Sequence, residues 1–237
     1  MIAVYLDESG QESKGHVVIA GFFGSQEQWD SFLPEWVKAV GCARFHAQTL
    51  RWNRIATRKR VARLARIPYD HGLTPIRGAV YMPDYSDMFM DPVENVIVAG
   101  YVLALYPILI RLLESISSEE RIKLVFEAQH RYEFSARKVF ENFTHLNARD
   151  RIAGIEFLPK EATALTQPAD LLAFAELQRL RDPNSQKTEW CRPILGDKPI
   201  LGEVLSRETI RNVLNKSLPA ARLKTVVDLQ KHYRRKN

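Results

Sequence analysis

Residues Met1 to Gly10 read MIAVYLDESG, and the fold turns on how this stretch ends. Met1 to Leu6 is a short apolar run, Asp7 and Glu8 place two carboxylates at its end, and Ser9-Gly10 closes it. A strand that stops on an acid and then turns keeps its apolar part buried and carries the charge to the edge of a sheet. Acids beside Ser-Gly are also ordinary turn chemistry. The stretch alone therefore supports two readings, a plain turn or a carboxylate held for use. Consecutive side chains of an extended strand point to opposite faces, which ranks Glu8 below Asp7 if Asp7 serves a site.

Downstream, HVVIAGFF (His16 to Phe23), ended by Gly24, predicts a second, buried strand after a hairpin-like connection. Ser25 opens a helix over residues 26–40, with Trp29, Phe32, Leu33 and Trp36 at helical spacing, Pro34 making its start irregular and Gly41 stopping it. In the segment that follows, Thr57 is the expected N-cap of a helix carrying Val61, Leu64 and Ala65 on one side. IRGAVYM (Ile76 to Met82) alternates as a third strand. From Val93 to about Glu114 the chain is apolar nearly all round, which predicts a helix deep against a sheet.

IKLVF (Ile122 to Phe126) predicts a fourth strand, and it delivers Glu127 at its tip as the first strand delivers Asp7. An amphipathic helix over 132–146 and a fifth strand, IAGIEFL (Ile152 to Leu158), follow. QPADLLAFAELQRL then predicts a helix with Pro168 near its first position and Asp170 in its first turn, where an acid also offsets the helix dipole. Beyond Arg181 the signals thin out: a loop at Asp182, a Pro/Gly-punctuated run over 190–202, a helix capped by Ser206, and a last helix from Leu223 into a basic tail.

This order predicts an α/β fold, a ribonuclease H-like mixed five-stranded sheet flanked by helices. A basic helical insertion, about residues 25–70, separates strands 2 and 3. The domain spans 1–180, and a C-terminal helical extension, 181–237, packs on it. In such a sheet the first and fourth strands are parallel neighbours. Asp7 and Glu127 then meet at their tips, and Asp170 reaches the same place.

Composition narrows the function classes. With 46% hydrophobic residues in 237 the chain can bury an ordinary globular core. Its two cysteines, Cys42 and Cys191, lack the spacing of a disulfide framework or a zinc knuckle. The chain opens directly on a strand, and its longest uncharged run, Val96 to Ile110, is short for a membrane span and contains Pro107. Together these predict a cytoplasmic protein. The net charge of +6 is uneven: eight Lys/Arg and no acid lie between Arg44 and Arg66, leaving a net −2 for the rest. Arg51, Arg54, Arg58, Lys59, Arg63 and Arg66 are the expected contacts to a nucleic-acid backbone; a solvated helix face is the alternative. No phosphate-binding glycine loop or Ser/His/Asp arrangement stands out.

YLDESG near the N-terminus and LTQPADLLAFA near residue 170 resemble the opening and closing motifs of domain-of-unknown-function family 3800, a mostly bacterial and phage-associated family. The resemblance extends over residues 1 to about 180 and includes FHAQTL, where the family often carries a His-Ala pair. It implies a ribonuclease H-like fold and a metal-dependent nuclease. One departure is Glu127, since the family's fourth strand commonly ends in aspartate.

Three converging carboxylates repel one another unless cations neutralise them, and magnesium or manganese suits such oxygen donors. The expected site is thus a two-metal one, Asp7 bridging two Mg2+ or Mn2+ ions with Glu127 and Asp170 each completing one side, Glu8 being a lesser ligand candidate. Ser9, His46, His130 and Gln167 are candidates for supporting or substrate contacts. The alternatives are a catalytically inactive nucleic-acid-binding or assembly component, of a mobile-element or phage-defence system, and a subunit whose basic face meets an acidic protein.

Overall fold

A computed structural model describes residues 1–10, 15–41, 45–83, 93–128, 133, 137, 150–159, 162–196 and 199–209. The helix expected over 132–146, most of the helix expected after Ser206, the basic tail, His130, Cys42 and Arg44 lie outside the described residues.

Strands β1 (Ile2–Ser9), β2 (His16–Ser25), β3 (Thr74–Tyr81), β4 (Ile122–Glu127), β5 (Ile152–Leu158) and β6 (Leu201–Leu205) form one sheet among the described residues. Their order is β5-β4-β1-β2-β3-β6. The β1–β2 and β2–β3 pairs are antiparallel; β1–β4, β4–β5 and β3–β6 are parallel. A meander continued by parallel strands, with helices on both faces, fits a ribonuclease H-like α/β fold at the level of strand order and layers.

The sixth strand corrects the five-strand expectation. Residues 201–205 do not simply extend the chain as helix; they pair with the outer edge of β3. LGEVL is only five residues long, and its glycine weakens the strand signal. That glycine is required where it stands: Gly202 has φ +101°, and a Cβ there would lie 1.7 Å from the carbonyl oxygen of Arg77.

Alternation along the strands divides the core in two. Val4, Leu6, Val17, Ile19, Ile76, Val80, Leu124 and Phe126 face helix α3 (Val93–Ser115). Its nearly all-round apolar sequence fits this deep position, packed against the sheet from Tyr101 to Leu112. Gly78 of β3 permits the close fit, since a Cβ there would lie 1.8 Å from the carbonyl oxygen of Ala104. The opposite face carries Ala3, Val18, Ala20, Phe22 and Ala79. It is covered by α1 (Gln26–Val40), α2 (Ile55–Asp70), α4 (Gln167–Arg181) and α5 (Gln186–Leu195). No helix among the described residues is long and apolar enough to cross a membrane.

Helix α1 has the boundaries its sequence predicts because a capping box fixes its start. Ser25 Oγ accepts from the Gln28 amide at 3.4 Å, and Gln28 Oε1 accepts from the Ser25 amide at 2.8 Å. Trp29 Nε1 ties the helix to β1 by donating to the Ala3 carbonyl at 3.0 Å. Helix α2 instead begins three residues earlier than expected, at Ile55: Arg54, not Thr57, is its N-cap, with no side-chain bond. Trp52, stacked on Phe174 of α4 at 5.2 Å between ring centroids, anchors the approach to it.

Cys191 lies on α5 with no measurable exposure, and burial pushes its thiol up to about 12, against the opposing pull of Lys187. At pH 8 roughly one such thiol in 10⁴ is ionised, and only the thiolate alkylates. Iodoacetamide is therefore expected to leave the Cys191 peptide unmodified in native protein and to label it fully in denaturant. Stoichiometric native labelling, read by mass spectrometry, would contradict this burial.

Candidate functional site

The site begins where β1 and β4 end. Leu6 and Phe126 are the last pair of the parallel β1–β4 ladder, and Asp7 and Glu127 are the residues that follow on the two strands. Adjacent strands lie about 4.8 Å apart. Both acids alternate with residues of the α3-facing core, and so stand on the face covered by α4. Glu8 alternates with Val4 and Leu6 and stands on the other face. Ser9 is on the Asp7 side, half-buried, paired with Val18.

Asp7 is only 3% exposed. Its Oδ1 accepts the Glu8 amide at 2.9 Å, which fixes the carboxylate against the strand backbone. Glu127, half-buried, closes β4, and the Ala128 amide continues the ladder by donating to the Leu158 carbonyl at 2.7 Å. Charges of both signs stand nearby on the sheet, where Lys123 Nζ lies 2.6 Å from Glu156 Oε2. Tyr5, two residues before Asp7 on the same face, has its hydroxyl pKa raised first by burial and then by the carboxylates of Glu156 and Asp30.

Asp170 enters the same side of the sheet on the first turn of α4, which packs across β1 and β2. Its carboxylate is 5% exposed and both oxygens are engaged. Oδ2 accepts the Ala47 amide at 2.7 Å, and Oδ1 lies 3.0 Å from His46 Nδ1. These bonds hold the short 3-10 turn Ala47–Thr49 on the helix, while the His46 side chain stays 41% exposed. Sequence reading missed the Ala47 amide; a backbone donor leaves no mark beyond the His-Ala pair. Gln167, one turn earlier, is buried and accepts from Trp36 Nε1 at 3.0 Å, which locks α4 to α1.

Among the described residues no three His, Cys, Asp or Glu side chains are grouped closely enough to hold a metal ion. The expected trio of Asp7, Glu127 and Asp170 thus does not form one close cluster; Asp170 is engaged with His46 and the Ala47 amide instead. Magnesium retains several waters and takes one or two carboxylates together with substrate phosphates. Of the expected ligands, Asp7 and Glu127 are the two that stand at the ends of neighbouring strands.

The basic segment adjoins this end of α4 through Trp52. Arg51 and Arg54 flank that anchor and are exposed. On α2, Lys59, Arg63 and Arg66 are exposed at i, i+4 and i+7, a continuous stripe opposite the buried Val61, Leu64 and Ala65. No acid among the described residues forms an ion pair with Arg51, Arg54, Lys59 or Arg66. Arg58 departs from the expected track: half-buried, its guanidinium lies 4.8 Å from the centroid of the Trp190 ring. Part of the stripe also caps α1, where Arg60 donates to the Val40 carbonyl and Arg63 to that of Ala39 at 3.4 Å.

No protein-family model matches the chain, and no curated protein matches it.

Proposed function

We propose that this protein is a cation-dependent, phosphodiester-processing enzyme that acts on nucleic acid, a nuclease of ribonuclease H-like type. The observation that carries the reading is that Asp7 and Glu127 directly follow the last pair of the parallel β1–β4 ladder, Leu6 with Phe126, and stand on the same face of the sheet. A carboxylate pair in that position suits a hard divalent cation, Mg2+ or Mn2+, bound with a substrate phosphate. When bound, the cation supplies charge neutralisation at the phosphate. The chain's own residues hold Asp7 in place through its pairing with Ala20 of β2, the β1–β4 ladder that ends one residue before it, and the bond from the Glu8 amide. The exposed residues Arg51, Arg54, Lys59, Arg63 and Arg66 supply a surface for the polyanion beside it. The resemblance of YLDESG and LTQPADLLAFA to motifs of domain-of-unknown-function family 3800 suits the same reading.

Purified protein with single-stranded and duplex DNA and RNA tests the reading. Cleavage that requires Mg2+ or Mn2+ and stops with EDTA is expected; no cleavage of any of the four overturns it. Arg51→Ala with Arg54→Ala is expected to weaken binding about equally across sequences. It should also reduce the slope of log affinity against log salt by about one for each phosphate no longer neutralised. An unchanged slope would remove these residues from the interface.

A second reading, a nucleic-acid binder without catalysis, draws on the absence of a three-ligand cluster among the described residues. Salt-dependent binding with no cation effect and no cleavage would establish it instead.

A further inference from the structure

We infer that the basic surface takes single-stranded nucleic acid and holds its unpaired bases by stacking, with Arg58 as the platform; the inference rests on the nucleic-acid reading above. Phosphates alone do not account for what lies beside the basic stripe. Ile55, the first residue of α2, is 63% exposed and stands one helical turn before Arg58 and Lys59. A sugar-phosphate track gains nothing from an exposed branched aliphatic there. Unpaired bases do, since every base has a face to lay against it.

Arg58 is placed by a ring rather than by an acid. Its guanidinium lies over the indole of Trp190 on α5, 4.8 Å from the ring centroid. Among the described residues no acid pairs with it, and its Nε has no hydrogen-bond partner. Arg60, two residues on, shows the contrast, since it is spent on the Val40 carbonyl. A guanidinium held over an indole keeps its terminal N–H groups for a ligand and offers its outer face to a base, as arginine planes do in single-strand recognition.

The pattern continues on α5. Lys187, one turn before Trp190, has its Nζ 4.9 Å from the centroid of Phe174, and Phe174 stacks on Trp52. Cations and rings thus alternate across α2, α5 and α4, with the exposed Arg51 and Arg54 flanking Trp52. Positive charge interleaved with aromatic rings is what a single strand requires, a path for its backbone and faces for its bases. In a duplex the base faces are stacked on one another and closed to such a platform.

The experiment measures binding of the full chain in EDTA, so that no cleavage intervenes, to oligonucleotides of equal length: single-stranded, duplex, and single-stranded but abasic. The single strand is expected to bind on the order of tenfold tighter than its abasic counterpart, which carries the same charge, and tighter than the duplex. Of the four tryptophans, Trp29, Trp36 and Trp52 are buried and Trp190 is half-buried. The change in tryptophan emission on binding should therefore vanish in Trp190→Phe, which keeps a ring under Arg58. Arg58→Lys keeps the charge and loses the plane, and circular dichroism checks its fold. It is expected to weaken single-strand binding on the order of tenfold, with the salt slope unchanged. Equal affinity for the normal and abasic strands, a preference for duplex, or wild-type binding in Arg58→Lys overturns the inference and leaves the phosphodiester reading standing. A protein that binds no nucleic acid overturns both. One that binds single strands as expected but cleaves nothing with Mg2+ or Mn2+ upholds the inference and overturns the phosphodiester reading alone.

Discussion

Glu176→Ala is expected to destabilise the fold by about 3–5 kcal/mol, because it leaves a largely buried arginine without its counter-charge. Glu176 sits in α4 with no measurable exposure, and its carboxylate takes both Arg77 of β3 and Arg179 one turn along the same helix, the latter at 2.8 Å. Arg179 is 35% exposed and recovers hydration when the acid is removed; Arg77 is 19% exposed and does not. The cost thus falls mainly on the Arg77 bond, which ties the helix to the sheet. The pair itself is weak ground for stability, since apolar residues of similar volume often replace buried ion pairs without loss. Arg77→Met with Glu176→Leu is accordingly expected to recover most of what Glu176→Ala loses. Urea denaturation of both variants tests the argument, and a single-variant loss below about 1 kcal/mol would show that water reaches Arg77.

That pair also bears on the site. Asp7 pairs with Ala20, and Ala20 with Arg77, so the acid and the arginine lie in one cross-strand row, two strands apart, on the face α4 covers. With Glu176 holding Arg77, that guanidinium is committed to the helix, and the acidic end of β1 keeps its character.

Most of the sheet was legible in the sequence because each strand is short, strongly apolar and bounded by a turn residue. β5 falls at its expected bounds, and α1 does so because S-x-x-Q at Ser25 is a local cap that no distant contact needs to complete. The exceptions were decided by tertiary packing. Helix α2 starts at Ile55 without a side-chain cap, after a segment anchored by Trp52 on Phe174. Helix α5 was hidden by Pro193, a residue that reads as a breaker; Ser185, whose Oγ accepts the Thr188 amide at 3.2 Å, starts it all the same. The site divides the same way. That Asp7 and Glu127 are neighbours follows from strand order alone. The bond between His46 and Asp170 joins residues 124 apart and depends on how a loop docks on a helix, which no spacing encodes.

Asp7→Asn is expected to lower cleavage by at least on the order of 10³-fold, the several kcal/mol that a correctly held cation contributes at a phosphoryl group. The substitution keeps shape and retains an oxygen to accept the Glu8 amide, so the fold should survive it. Stability separates this outcome from damage. Because the carboxamide is of the same shape and keeps the Glu8 amide bond, the melting temperature without cation should change little. Conversely, a cation that binds only the folded protein raises the melting temperature as its concentration exceeds Kd. Wild type should show this rise with Mg2+, and Asp7→Asn and Glu127→Gln should both lose it. Glu8→Gln should keep it, because strand alternation sets Glu8 on the opposite face of the sheet. A rise that persists in Asp7→Asn would place the cation elsewhere, and a rise lost only in Glu8→Gln would put the site on the α3 side. Losing it in Asp7→Asn and Glu127→Gln together ties the cation to both strand tips, which follow the last pair of the parallel ladder, Leu6 with Phe126.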